Sequence, residues 1–137
     1  TEYTAEGVGV FYLPDGYELD FGPMDGIGCY AALTKDEIEV WANRFNAADY
    51  ETAGVSLPAD LEEFSQRSGV QAGIPEGSVF AEDEYGNYYT QFVEDGRDVY
   101  YVLKQGTDAF GNVSVSCPEG ELTSLDAALW ISLAELE

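Results

Sequence analysis

The feature that most constrains this chain is the pair Asp95-Gly96, set between the aromatic runs Tyr88-Tyr89-Thr90-Gln91-Phe92-Val93 and Val99-Tyr100-Tyr101-Val102-Leu103. Asp-Gly supplies the two positive-φ residues of a two-residue hairpin turn, whose twist matches that of its strands. The turn sets the register, with Glu94 opposite Arg97. Counting outward, one face pairs Phe92 with Val99, Thr90 with Tyr101 and Tyr88 with Leu103. The other pairs Val93 with Asp98, Gln91 with Tyr100 and Tyr89 with Val102. The first set is the better core face and the second is amphipathic; a slip of one residue would exchange them. Gly86-Asn87 reads as a second hairpin turn, with Tyr85 opposite Tyr88 and Ala81 opposite Phe92.

Other elements follow from periodicity and punctuation. Residues 1–6 form a polar lead, read as flexible. Gly9 to Leu13 reads as a strand stopped by the Pro14-Asp15-Gly16 turn. Tyr17 to Phe21 and Ile27 to Leu33 read as strands separated by Gly22-Pro23 and Asp25-Gly26. Thr34 and Glu37 have capping-box spacing, and Ile38, Trp41, Ala42 and Phe45 recur at helical spacing behind them, which predicts a helix. A second helix is expected after Ser56-Leu57-Pro58, with Leu57, Leu61 and Phe64 as its stripe and Gly69 as its stop. From Val70 onward, strands and tight turns are expected. Asn112 to Cys117 alternates as a half-buried strand, with Val113, Val115 and Cys117 inward. A last helix begins near Thr123 or Ser124, with Asp126 in its first turn and Leu125, Leu129, Leu133 and Leu136 as its apolar stripe, joined by Ala128 and Trp130. These elements predict a single α+β domain spanning 1–137, an antiparallel sheet of about six or seven strands flanked by helices.

The charge balance excludes partners. Against 27 Asp+Glu stand 5 Lys+Arg, a formal charge of −22, and there is no histidine. Five scattered cations make no phosphate-binding stripe, so nucleic acid and anionic membrane surfaces are excluded as partners. No apolar stretch reaches the ~20 residues of a spanning helix, so direct membrane insertion is not expected. Aromatic residues are plentiful (2 Trp, 10 Tyr and 7 Phe), which argues for a packed core rather than an acidic disordered segment. The start at Thr1 reads as removal of an upstream signal or tether, so an extracellular or cell-surface location is expected. Cys29 and Cys117 read either as buried small hydrophobes or as a structural disulfide.

Two segments resemble a known family. Val10-Phe11-Tyr12-Leu13-Pro14-Asp15-Gly16-Tyr17 is similar to the opening strand of the PsbP-like fold. Tyr100-Tyr101-Val102-Leu103-Lys104, then Gly106-Thr107-Asp108-Ala109-Phe110, then Val113 to Cys117 and a terminal helix resemble its closing elements. The likeness, over about a third of the chain, is strongest to small secreted or lipoprotein domains of unknown function from Gram-positive gut anaerobes. It implies a helix-flanked antiparallel sheet without enzymatic activity. No functional residue of the fold's photosystem or nuclear-transport members maps onto this chain.

The chemistry available is narrow. A serine nucleophile would lack a histidine base, and neither Lys35 nor Lys104 sits in a motif. Carboxylate-based hydrolysis needs two acids about 5–10 Å apart, a spacing that so many acids meet by chance. No catalytic residue and no cofactor are assigned. Glu82-Asp83-Glu84 with Glu94-Asp95 is either a solvated face or a weak Ca²⁺ site, and it lacks EF-hand spacing. Gly7-Val8-Gly9 and Gly26-Ile27-Gly28 read as flexible starts of strands rather than phosphate loops. The amphipathic hairpin face carries the candidate partner residues Tyr89, Gln91 and Tyr100, near Ser114, with Phe110 in an exposed loop beside them. Each has a plainer reading: another element covers the tyrosines, or Phe110 plugs the core. The sequence therefore points to a non-enzymatic module that binds a protein, peptide or glycan. A small-molecule or Ca²⁺-binding domain is the alternative, and a hydrolase a further one. Self-repulsion at −22 predicts a melting temperature that rises from low salt to about 0.5 M NaCl; an unchanged value would remove this term.

Overall fold

The computed structural model describes residues 1–24 and 27–137, so the expected Asp25-Gly26 turn lies outside the described residues. The architecture is α+β in three layers. The central layer is an antiparallel sheet of seven strands, built from β3 (Glu18–Pro23), β4 (Cys29–Lys35), β5 (Ile38–Asn46), β6 (Ala81–Glu82), β7 (Tyr88–Glu94), β8 (Arg97–Gly106) and β9 (Ala109–Pro118). Its spatial order is β3-β4-β5-β9-β8-β7-β6. On one face lie α4 (Ser124–Leu133) and a small sheet of β1 (Glu2–Ala5), β2 (Gly9–Tyr12) and β10 (Glu135–Leu136). On the other lie α1 (Ala47–Ala53), α2 (Leu61–Ser65) and α3 (Ser68–Gln71).

The Asp95-Gly96 hairpin forms in the expected register, from Glu94 opposite Arg97 to Tyr88 opposite Leu103. Both turn residues have positive φ, as this turn requires. Its assignment of faces needs correction. Tyr100 and Val102 belong to the larger core with α4 and the small sheet, and Tyr89 packs against it. Tyr101 and Leu103 join Phe64, Val70, Ile74 and Phe110 in a smaller cluster on the opposite face. Both faces are covered, so neither is the solvent side of a two-layer sheet.

The helix expected behind Thr34 is instead strand β5, joined to β4 by a two-residue turn at Asp36-Glu37, with Lys35 opposite Ile38. Because both sheet faces are buried, Ile38, Val40 and Ala42 are apolar in one row, and Trp41 and Phe45 in the other. Two interleaved apolar rows imitate helical spacing, and pairing with both β4 and β9 decides for the strand. The chain then enters α1, an unforeseen helix capped reciprocally by Asn46 and Asp49. The second expected helix is split into α2, capped by Asp60, and α3, which contains Gly69 and Val70. Leu57 lies outside it and is exposed.

Three further expectations change. Residues 1–6 are no loose lead, because β1 pairs with β2 and the terminal ammonium donates to Leu13 O at 2.8 Å. The Gly86-Asn87 turn is wider than two residues: Ala81 faces Tyr89 and Glu82 faces Tyr88. Thr123 caps α4 as expected, and of the expected stripe Ala128 is buried and Trp130 packs on the core, but the rest of the buried line is Ala127 and Ile131. Leu125, Leu129 and Leu133 remain 67%, 40% and 47% exposed. Small alanines let the helix backbone approach the sheet, and β10 then crosses so close that a side chain at Gly9 would collide with the Glu135 carbonyl. Both cysteines are free thiols, Cys29 half-buried and Cys117 buried. Ile131→Ala should cost about 2–5 kcal/mol in urea unfolding, whereas Leu129→Ala should stay within about 0.5 kcal/mol of wild type.

Candidate ligand-binding site

The expected aromatic patch does not assemble as an open surface. Tyr100 is 5% exposed and stacks on the half-buried Tyr89 at 5.0 Å between ring centres. Gln91 is exposed, but the recess beside it and Tyr100 holds about 10 Å³, roughly the space of one water. Phe110 is 2% exposed and packs on Phe64 at 5.3 Å, across the sheet from Tyr89 and Tyr100. Asp108-Ala109-Phe110-Gly111 is no exposed loop: only Thr107-Asp108 turns, and Ala109 already pairs in β9. Ser114 lies opposite Tyr101 rather than beside Tyr100, because the β8–β9 register places it in the other row.

The acidic run at 82–84 is a turn device. Asp83 Oδ1 accepts from the backbone N–H groups of Tyr85 and Asn87, each at 2.9 Å. Its Oδ2 accepts from Asn87 Nδ2 at 3.2 Å and from the Tyr100 hydroxyl at 2.9 Å. Among the described residues, no cluster of three or more His, Cys, Asp or Glu could hold a metal ion. Burial pushes the Asp83 carboxyl upward, but its hydrogen bonds outweigh that and hold it below the usual range. Burial and the bond to Asp83 push the Tyr100 phenol well above its usual value.

A cavity of about 570 Å³ lies between the sheet and α1–α3, within the roughly 300–1,000 Å³ usual for small-molecule sites. Its floor is the sheet row Trp41, Asn43, Tyr101, Asn112 and Ser114. Its roof includes Tyr50 and Ala53 of α1, Phe64 of α2, and Gly69 and Val70 of α3. The roof is held by Arg67, which donates to Ser56 O at 2.7 Å, pairs with Glu63 at 2.9 Å and lies over the Tyr50 ring. The walls are mainly apolar; Asp49, the one carboxylate among the described lining residues, accepts from the Asn46 N–H as part of the α1 cap.

The polar groups of the floor form a directed chain. Trp41 Nε1 can only donate, and its partner at 3.0 Å is Asn43 Oδ1. Asn43 therefore turns its Nδ2 toward Asn112 Oδ1 at 3.2 Å. That leaves Asn112 Nδ2 at the end of the chain as a donor. Asn112 is 5% exposed and Tyr101 is 8% exposed. Among the described residues, neither Asn112 Nδ2 nor the hydroxyls of Tyr101 and Ser114 meet a hydrogen-bond partner, although every fully enclosed side-chain polar atom has one. These groups therefore open onto the cavity. Burial pushes the Tyr101 phenol up to about 12, so it keeps its proton at neutral pH.

The five cations are committed to backbone carbonyls. Lys35, Arg44, Arg67, Arg97 and Lys104 donate to the backbone carbonyls of Asp15, Glu137, Ser56, Glu37 and Ala134 respectively. Lys104 is thus no solvated lysine: burial lowers its pKa, against the pull of Asp83 and Glu135. Among the described residues, no helix is long and apolar enough to cross a membrane. A scan against protein-family models finds no match to the chain, and a search of curated proteins finds none either.

Sequence reasoning had Trp41 and Phe45 on a helix and Tyr101 in a core row, so it missed the cavity. The alternation of Trp41, Asn43 and Phe45 with Val40, Ala42 and Arg44 was the available signal. Because the folded-state pKa of Asp83 is depressed, its stabilisation is present at neutral pH and is lost as pH falls through that pKa. Asp83→Asn should flatten the acid limb of a urea-midpoint profile, and Tyr100→Phe should cost about 1–2 kcal/mol at neutral pH.

Proposed function

We propose that this protein is a non-enzymatic binding module that takes a small molecule between its sheet and α1–α3. The observation that carries this reading is the cavity of about 570 Å³ with buried donors at its floor. Asn112 Nδ2 and the Tyr101 hydroxyl open onto the cavity without a protein partner, so a ligand oxygen can take the place of solvent there. This is the small-molecule alternative from the sequence, preferred here to a protein, peptide or glycan partner at Tyr89, Gln91 and Tyr100, because Tyr100 and Phe110 are packed inside. Calcium is disfavoured as the ligand because Asp83 is already bonded through both oxygens. The absence of catalysis belongs to the same proposal and is supported by the commitment of Asp49 to the cap of α1. The PsbP-like likeness and an extracellular or surface location are proposals alongside it, compatible with a helix-flanked antiparallel sheet.

Gly69 gives a direct test. A side chain there would start in open space, its backbone is not in the left-handed region, and replacing glycine favours the helix. Nile red, a neutral apolar dye, should bind wild type with enhanced fluorescence. Gly69→Trp should weaken that binding at least about tenfold while leaving the melting temperature near wild type. Unchanged dye affinity in the folded variant would place binding elsewhere.

A further inference from the structure

The direction of the hydrogen-bond chain on the cavity floor carries the argument past location to ligand class. We infer that the cavity selects an uncharged, largely apolar molecule bearing a carbonyl-type oxygen, which accepts from Asn112 Nδ2 and the Tyr101 hydroxyl. This rests on the cavity being the binding site. An indole N–H is a donor under all conditions, so Trp41 dictates which way Asn43 faces, and Asn43 dictates which way Asn112 faces. Asn112 cannot present its oxygen to the cavity without breaking that chain. Tyr101 is the diagonal neighbour of Asn112 on β8, with Ser114 directly opposite it, so the three side chains stand in one row facing the cavity. Diagonal neighbours in adjacent strands are within reach of one another's long side chains.

Charge decides the rest. An anionic oxygen would suit two donors, but it would enter a protein of net charge −22. Arg67, the cation at the cavity, is already bound to Glu63 at 2.9 Å and to Ser56 O at 2.7 Å. A cationic ligand would be drawn toward the protein, and the Tyr101 and Ser114 hydroxyls could accept from it, but Asn112 Nδ2 at the end of the chain can only donate. A neutral ketone, amide or lactone oxygen meets both conditions, and the aromatic walls at Trp41, Phe45, Tyr50 and Phe64 favour a flat body.

Fluorenone, fluorene and fluorene carboxylate share one flat body and differ in the group presented. Their affinities for the full chain would be measured by quenching of tryptophan fluorescence, and the Asn112 side-chain amide followed by NMR. Fluorenone should bind at least about tenfold tighter than fluorene and tighter than the carboxylate. That preference should shrink several-fold in Tyr101→Phe, which removes one hydroxyl and nothing else. The Asn112 amide protons should move downfield with fluorenone and not with fluorene. Equal binding of fluorene and fluorenone, tightest binding of the carboxylate, or no binding of fluorenone while Nile red still binds would overturn the ligand class and leave the cavity reading standing. Failure of Gly69→Trp to displace Nile red would instead overturn the site itself.

Discussion

Strand β8 is hydrogen-bonded along both edges, to β7 through the Asp95-Gly96 turn and to β9 through the Thr107-Asp108 turn. With both registers locked, alternate side chains have no freedom to choose a face. Tyr100 and Tyr101 show the consequence. Adjacent in sequence, they enter opposite layers: one is bonded to Asp83 beneath the small sheet and α4, the other stands on the cavity floor. A one-residue slip would put a hydroxyl committed to Asp83 into the cavity and bury an unpartnered one in the main core.

The distribution of charge follows from the same economy of residues. With only 5 Lys+Arg, the protein uses each cation to tie a backbone carbonyl, and the described residues contain one salt bridge, Arg67 with Glu63. Arg97 ties the β4–β5 turn to β9 through Glu37 O and Ser116. Arg44 reaches the carbonyl of Glu137, and Lys104 reaches that of Ala134, on either side of β10. The acidic surface is consequently left largely uncompensated.

Most misreadings trace to one assumption, that a sheet has a wet side. Where turn chemistry acts alone, as at Asp95-Gly96 and at the Thr123 cap of α4, local residues were enough to place the element and its register. Where two layers compete for the same strand, local pattern misleads. The rows of β5 are apolar on both sides of the sheet, and they mimic a helix until β4 and β9 are present as partners. In α4 the leucines and the alanine–isoleucine line are both apolar, and residue type alone favours the larger side chains. The sheet accepts the smaller line because it lets the helix backbone come closer.

By itself, the amino-acid order determined the α+β class, the central hairpin to the residue, the capped terminal helix, and a net charge of −22. Those rest on short-range chemistry and on composition, which need no knowledge of neighbours. Only the tertiary structure decided that β5 is a strand, that Tyr100 is buried, and that Trp41, Asn43, Asn112 and Tyr101 line one cavity floor. These residues come from β5 and from the distant β8–β9 hairpin, and a cavity exists only where α1–α3 roof a sheet whose other face is already filled.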